Sequence, residues 1–105
     1  MLTNLGIAIP GDEVKAFCRR WHIQEFSLFG SVLNERFEAG SDVDVLVMFA
    51  PGVLPSFKAL DEMEKELEAL FGRPVDLVDK VAIQESPNYI RREAILGSTQ
   101  VVYAS

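Results

Sequence analysis

The chain has little of several things. Of its 105 residues one is cysteine, Cys18, and one is histidine, His22. A lone cysteine excludes an internal disulfide and fits a reducing compartment. A lone histidine with no nucleophile or metal-ligating residue beside it reads as a helix-end residue rather than a catalytic base. Basic excess is also missing: 10 Lys and Arg stand against 16 Asp and Glu, a formal net charge of −6. A protein that grips nucleic acid through its phosphates carries a basic face, so bulk binding of DNA or RNA is not expected. No apolar run approaches the roughly 20 residues that span a bilayer. The first ten residues lack the cationic start and long apolar stretch of a signal peptide. No repeat or Gly/Ser linker divides the chain. The expectation is one cytoplasmic domain over residues 1–105, with no membrane contact and no room for a separate substrate-binding domain.

What is present is punctuated cleanly. Pro10-Gly11 marks a turn and Asp12 a candidate N-cap. Val14, Phe17, Cys18 and Trp21 follow at helical spacing, placing Cys18 in a core stripe, and that helix ends near His22. Ile23 to Phe29 predicts a strand, with Ile23, Glu25, Ser27 and Phe29 on one face and Gln24, Phe26 and Leu28 on the other. A short helical turn is expected over Val32 to Phe37, broken by Gly40-Ser41. Val43 to Phe49 is a β-branched strand closed by Pro51-Gly52. Pro55 to Phe71 predicts the longest helix. Its apolar face is Phe57, Leu60, Met63, Leu67 and Leu70, and Asp61–Lys65 is an i,i+4 ion pair. The acidic run Asp61 to Glu68 reads as that helix's solvated face. Gly72 and Pro74 stop it, and Val75 to Val78 is a short strand. Ser86-Pro87 predicts an N-cap and first position of a helix ending near Gly97, and Gln100 to Tyr103 a last edge strand. The order α-β-α-β-α-β-α-β implies an α+β (α/β-type) fold, a small mixed sheet of about four strands with helices packed on it.

Chemistry concentrates at strand ends. Gly30-Ser31 lies between a strand and an expected helix. Glycine permits close backbone approach there, and free N–H groups and the Ser31 hydroxyl suit a phosphate. Asp42 and Asp44 are two apart at the mouth of the second strand, hence on one face and roughly 6–7 Å apart along it. Like charges so placed repel unless a cation intervenes, and two carboxylates suit magnesium. Asp76 interrupts the apolar stretch Val75 to Val78. If that strand pairs beside the one bearing Asp44, a spacing of about 4.8 Å brings the third carboxylate to the same place. Three converging carboxylates can hold two magnesium ions, aligning an attacking oxygen and a leaving pyrophosphate.

Gly30-Ser31, ten residues, then Asp42-x-Asp44 is similar to the Gly-Ser-x10-Asp-x-Asp signature of the DNA polymerase β-like nucleotidyltransferases, and Asp76 looks like their third carboxylate. The likeness runs from the first strand onward. With the small size and the C-terminal Tyr89-Ile90-Arg91-Arg92 and Val101 to Ala104 segments, it most resembles the minimal nucleotidyltransferase (MNT) proteins, often antitoxins of HEPN/MNT toxin–antitoxin pairs. The resemblance implies a polymerase β-like palm fold and transfer of AMP from ATP to a tyrosine hydroxyl of a HEPN toxin, in a hetero-oligomer. It implies Asp42, Asp44 and Asp76 as catalytic, magnesium-binding residues, with Gly30 and Ser31 on the terminal phosphates. Where many members carry an early arginine after the Gly-Ser pair, this chain has Val32, Leu33 and Asn34, with Arg36 a little later. A non-catalytic antitoxin that masks its toxin, and a nucleotidyltransferase acting on a small molecule, are the alternative readings. Arg91-Arg92 is open between ordinary surface and an attraction for ATP phosphates or an acidic partner.

Overall fold

A computed structural model describes residues 10–30 and 42–105. Ser31, Arg36 and the helical turn expected over Val32 to Phe37 lie outside the described residues. The elements are α1 (Gly11–Arg20), β1 (Ile23–Phe29), β2 (Val43–Phe49), α2 (Phe57–Phe71), β3 (Val75–Asp79), α3 (Lys80–Gln84), α4 (Tyr89–Leu96) and β4 (Thr99–Ala104). They form one mixed sheet in the order β3-β2-β1-β4. β1 runs antiparallel to β2 and β4, and β3 is parallel to β2 through the α2 crossover. The mixed α+β sheet with packed helices matches the sequence expectation, and β4 is an edge strand as expected.

Strand alternation sends successive side chains to opposite faces, and the two faces are filled differently. One face holds Val14, Phe17 and Cys18 of α1 and Met63 and Leu67 of α2. They pack against Phe26, Leu28, Val43, Val45, Val47 and Val75. Phe17 and Phe26 meet edge to face with ring centroids 6.2 Å apart. Burial pushes the Cys18 thiol up to about 12, the behaviour of a core thiol. The other face holds a smaller cluster of Phe29, Leu46, Ile83 of α3 and Ile95 of α4, flanked by Val78 and Leu96. No helix among the described residues is long and apolar enough to cross a membrane.

Several boundaries differ from expectation for local reasons. Helix α1 begins at Gly11 after Pro10, so Asp12 sits in the first turn, where its charge suits the helix dipole, rather than at the cap. Helix α2 begins at Phe57, capped by the Ser56 hydroxyl, which accepts from the Ala59 N–H at 3.1 Å. Pro55 lies outside it. Phe57 therefore falls in the first turn, beyond the sheet's reach, and is 92% exposed instead of joining the apolar face. Gly72 ends α2 in the left-handed region at φ 72°, as a glycine after a helix does.

The C-terminal helix expected from Ser86-Pro87 is α4, which starts at Tyr89 and ends before Gly97, and a short helix that was not expected, α3, precedes it. Asp79 caps α3 by accepting from the Val81 N–H, and Asn88 caps α4 by accepting from the Arg91 N–H. A register shift between Ile23 and Glu25 moves Ile23 into the larger core beside Phe26 and Leu28, off the face it was expected to share with Phe29. The expected Asp61–Lys65 pair is present at 3.0 Å.

Candidate active site

The start of β2 places Asp44 in a row of facing residues. Asp44 lies opposite Phe29 on β1 and opposite Asp76 on β3. The inferred pairing of the two aspartate-bearing strands is therefore present. Val43 and Val45 point into the larger core, as does Val75. Alternation turns Asp44 and Asp76 to the other face, that of Phe29 and Leu46. Adjacent strands lie about 4.8 Å apart, so the two carboxylates are close neighbours. Asp42 immediately precedes β2 and is exposed, as is Asp76, while Asp44 is half-buried.

Gly30 leaves β1 at φ 78°, in the left-handed region that glycine tolerates. A Cβ at this position would overlap the Asp44 carboxylate. The glycine therefore supplies both a turn and the room that Asp44 occupies. Ser31, expected to donate to phosphate, lies outside the described residues.

The charges are not at rest. Burial raises the Asp44 carboxyl above its usual range, and the negative charges of Asp76 and Asp42 raise it further. Each effect penalises the ionised form. A divalent cation among these oxygens would reverse the penalty, and three carboxylates are a donor set that hard cations take. Among the described residues no three acidic, histidine or cysteine side chains are drawn together tightly enough to hold a metal by themselves.

Sequence reasoning missed what holds β3 in place. Its outer N–H groups are not left bare: Val75 donates to Glu68 Oε2 at 3.2 Å and Leu77 to Glu64 Oε2 at 3.1 Å. A four-residue step along a helix advances about 6 Å and a two-residue step along a strand about 6.6 Å. Glutamates four apart on α2 thus match alternate amides of β3. Their neighbour Glu66 accepts from Trp21 Nε1 at 3.3 Å and pairs with Arg20, tying α2 to α1. Three of the five acidic residues of the run are therefore structural rather than merely solvated. The i,i+4 spacing before a short strand was the available signal. At the opposite end of the sheet, Lys80 Nζ meets Glu25 Oε1 at 2.5 Å and anchors the start of α3 to β1.

Comparison with known proteins agrees with this geometry. The model of the nucleotidyltransferase domain family matches residues 14–100. A protein adenylyltransferase MntA of Thermococcus cleftensis is 39% identical over 70 residues, 67% of this chain and 69% of that protein. A chain in a crystal structure of a toxin–antitoxin with AMP-PNP superposes with a TM-score of 0.70 at 19% identity, covering 92% of this chain and 75% of that one. A chain in the structure of a tri-AMPylated Shewanella oneidensis HEPN toxin in complex with MNT antitoxin gives 0.62 at 20% identity, covering 90% and 70%. At these identities the structural likeness speaks for the fold. Because the family model spans most of the chain and the sheet carries the Gly30, Asp44 and Asp76 arrangement, the chain belongs to the nucleotidyltransferase domain family.

Proposed function

We propose that this chain is a magnesium-dependent nucleotidyltransferase that moves AMP from ATP to a hydroxyl of a partner protein, a HEPN toxin, and so acts as its antitoxin. The observation that carries the reading is the facing pair Asp44 and Asp76 with Gly30 packed against Asp44. Support for the acceptor class comes from the relative described as a protein adenylyltransferase and from the AMPylated HEPN toxin in the complex of similar fold. Support for ATP comes from the neighbour solved with AMP-PNP.

In this mechanism the acceptor oxygen attacks the α-phosphorus in line, the bond to the β-phosphate oxygen breaks, and pyrophosphate leaves. Asp42, Asp44 and Asp76 are the residues that would hold magnesium, which when bound neutralises charge on the phosphates. Gly30 and Ser31 receive the terminal phosphates through backbone N–H groups and the hydroxyl. Asp76, exposed on the edge strand β3, takes the acceptor proton in this reading, which for a tyrosine acceptor comes from the phenol oxygen. Positioning and charge complementarity then supply most of the rate, with no covalent intermediate on the chain.

The test is to incubate the chain with ATP, magnesium and a HEPN toxin and to weigh the toxin by mass spectrometry. Gain of one or more AMP units, absent with Asp44→Asn, is the expected result. Toxin neutralised without gaining mass, and still neutralised by Asp44→Asn, would instead establish masking by binding.

A further inference from the structure

The chain's ten basic residues are spread over the sequence, but topology sends most of them away from the carboxylates. The carboxylate end of the sheet is where β1 finishes and where β2 and β3 begin. Arg19 and Arg20 close α1 just before β1 begins, and Lys58 opens α2 just after β2 has ended, so these lie toward the opposite end. Arg20 is also paired with Glu66. Lys80 follows the end of β3 and is held by Glu25, and Arg91 and Arg92 lie on α4, where Arg92 donates to the Ser86 carbonyl and lies over the Tyr89 ring. Lys15 is mid-helix on α1 and Lys65 is paired with Asp61 on α2.

Arg73 differs. It sits in the two-residue link between Gly72 and β3, three residues before Asp76. Its neighbour Pro74 accepts a hydrogen bond from the Val43 N–H at 2.8 Å, which fixes the link beside Asp42 and the start of β2. Among the described residues, Arg73 is thus the cation in a loop at the carboxylate end. The residue is half-buried, and an arginine guanidinium reaches several ångströms from its backbone and presents paired N–H donors that match phosphate oxygens.

The geometry points to Arg73 as a positioning residue of the nucleotide site that binds a non-bridging phosphate oxygen of the substrate. This rests on the nucleotidyltransferase reading above. The guanidinium offsets phosphate charge on the side where three carboxylates would otherwise repel it. In the absence of substrate the same side chain serves the local structure. Its substrate role is therefore measured as ligand affinity rather than stability.

The experiment compares wild type, Arg73→Gln, Arg73→Lys and Asp44→Asn by calorimetric titration with ATP, AMP and pyrophosphate, each with magnesium. Loss of a charge-assisted contact is expected to weaken ATP binding roughly tenfold or more in Arg73→Gln, with Arg73→Lys intermediate because charge remains and the fork is lost. Weaker ATP and pyrophosphate with unchanged AMP places the contact on the β- or γ-phosphate; weaker ATP and AMP places it on the α-phosphate. Either supports the assignment. An Arg73→Gln variant that binds all three as wild type does, or that only loses thermal stability, overturns it while leaving the site standing. Wild type that binds no ATP overturns both readings.

Discussion

The two faces of the sheet are built to different ends. Under α1 and α2 the side chains are large, fully buried and continuous across β1, β2 and β3. Under α3 and α4 the apolar cluster has, among the described residues, four buried members, and one of them, Phe29, sits directly opposite Asp44 where the carboxylates emerge. One face holds the molecule together, and the other gives up burial to expose carboxylates that repel one another. A small chain can tolerate a charged, strained margin when its stability is concentrated on the face away from it.

The sharpest way to break this contrast is a pair of truncations. Phe26→Ala, in the larger core, is expected to cost about 3–5 kcal/mol, and Ile95→Ala about 2 kcal/mol, at the low end for its type. Denaturant melts measure both; equal losses would make the faces equivalent. Next, Asp44→Asn should lower AMP transfer by roughly 10²–10³-fold or more, since charge stabilisation at a reacting centre is worth that much. It should leave the fold intact. Gly30→Ala should cost about 1–2 kcal/mol from its left-handed backbone alone. Because the added methyl also displaces the Asp44 carboxylate, its loss of transfer should exceed its loss of stability.

A pH comparison is subtler. The folded Asp44 binds its proton more tightly than the unfolded chain does. Its ionisation therefore destabilises the magnesium-free fold at neutral pH. That penalty fades as pH falls through the raised folded value and is gone below the usual carboxylate value. Without magnesium, Asp44→Asn should melt slightly higher than wild type at neutral pH. The advantage should vanish in acid, and scanning calorimetry across that range decides it. The smallest effect is expected from Glu64→Ala, about 1 kcal/mol for one uncapped amide, with Glu64→Gln nearly neutral because an acceptor oxygen remains.

Much of this was legible in the residues. The span of β2, the stripe of α1, the α2 stop at Gly72 and the pairing of Asp76 beside Asp44 follow from period, punctuation and the oddity of charge in an apolar strand. What was not legible depended on tertiary contacts. Phe57 fits the apolar period of α2, but the helix begins too late for it to reach the sheet. Asn88 rather than Ser86 caps the last helix, and Asp79 caps the short α3, which no periodic stripe announces. A bulge in β1 moved Ile23 across the sheet, which alternation cannot foresee. The glutamates of α2 look solvated by helical period, and the i,i+4 spacing ahead of a short strand is the one local hint that two of them meet its edge.

Those glutamates have a consequence for recognition. Bare strand margins accept any other strand, through backbone bonds that do not discriminate between sequences. By occupying the amides of Val75 and Leu77, Glu64 and Glu68 close that route along the strand that carries Asp76. An added strand therefore finds those two donors already taken, and the edge that carries Asp76 is guarded against indiscriminate pairing.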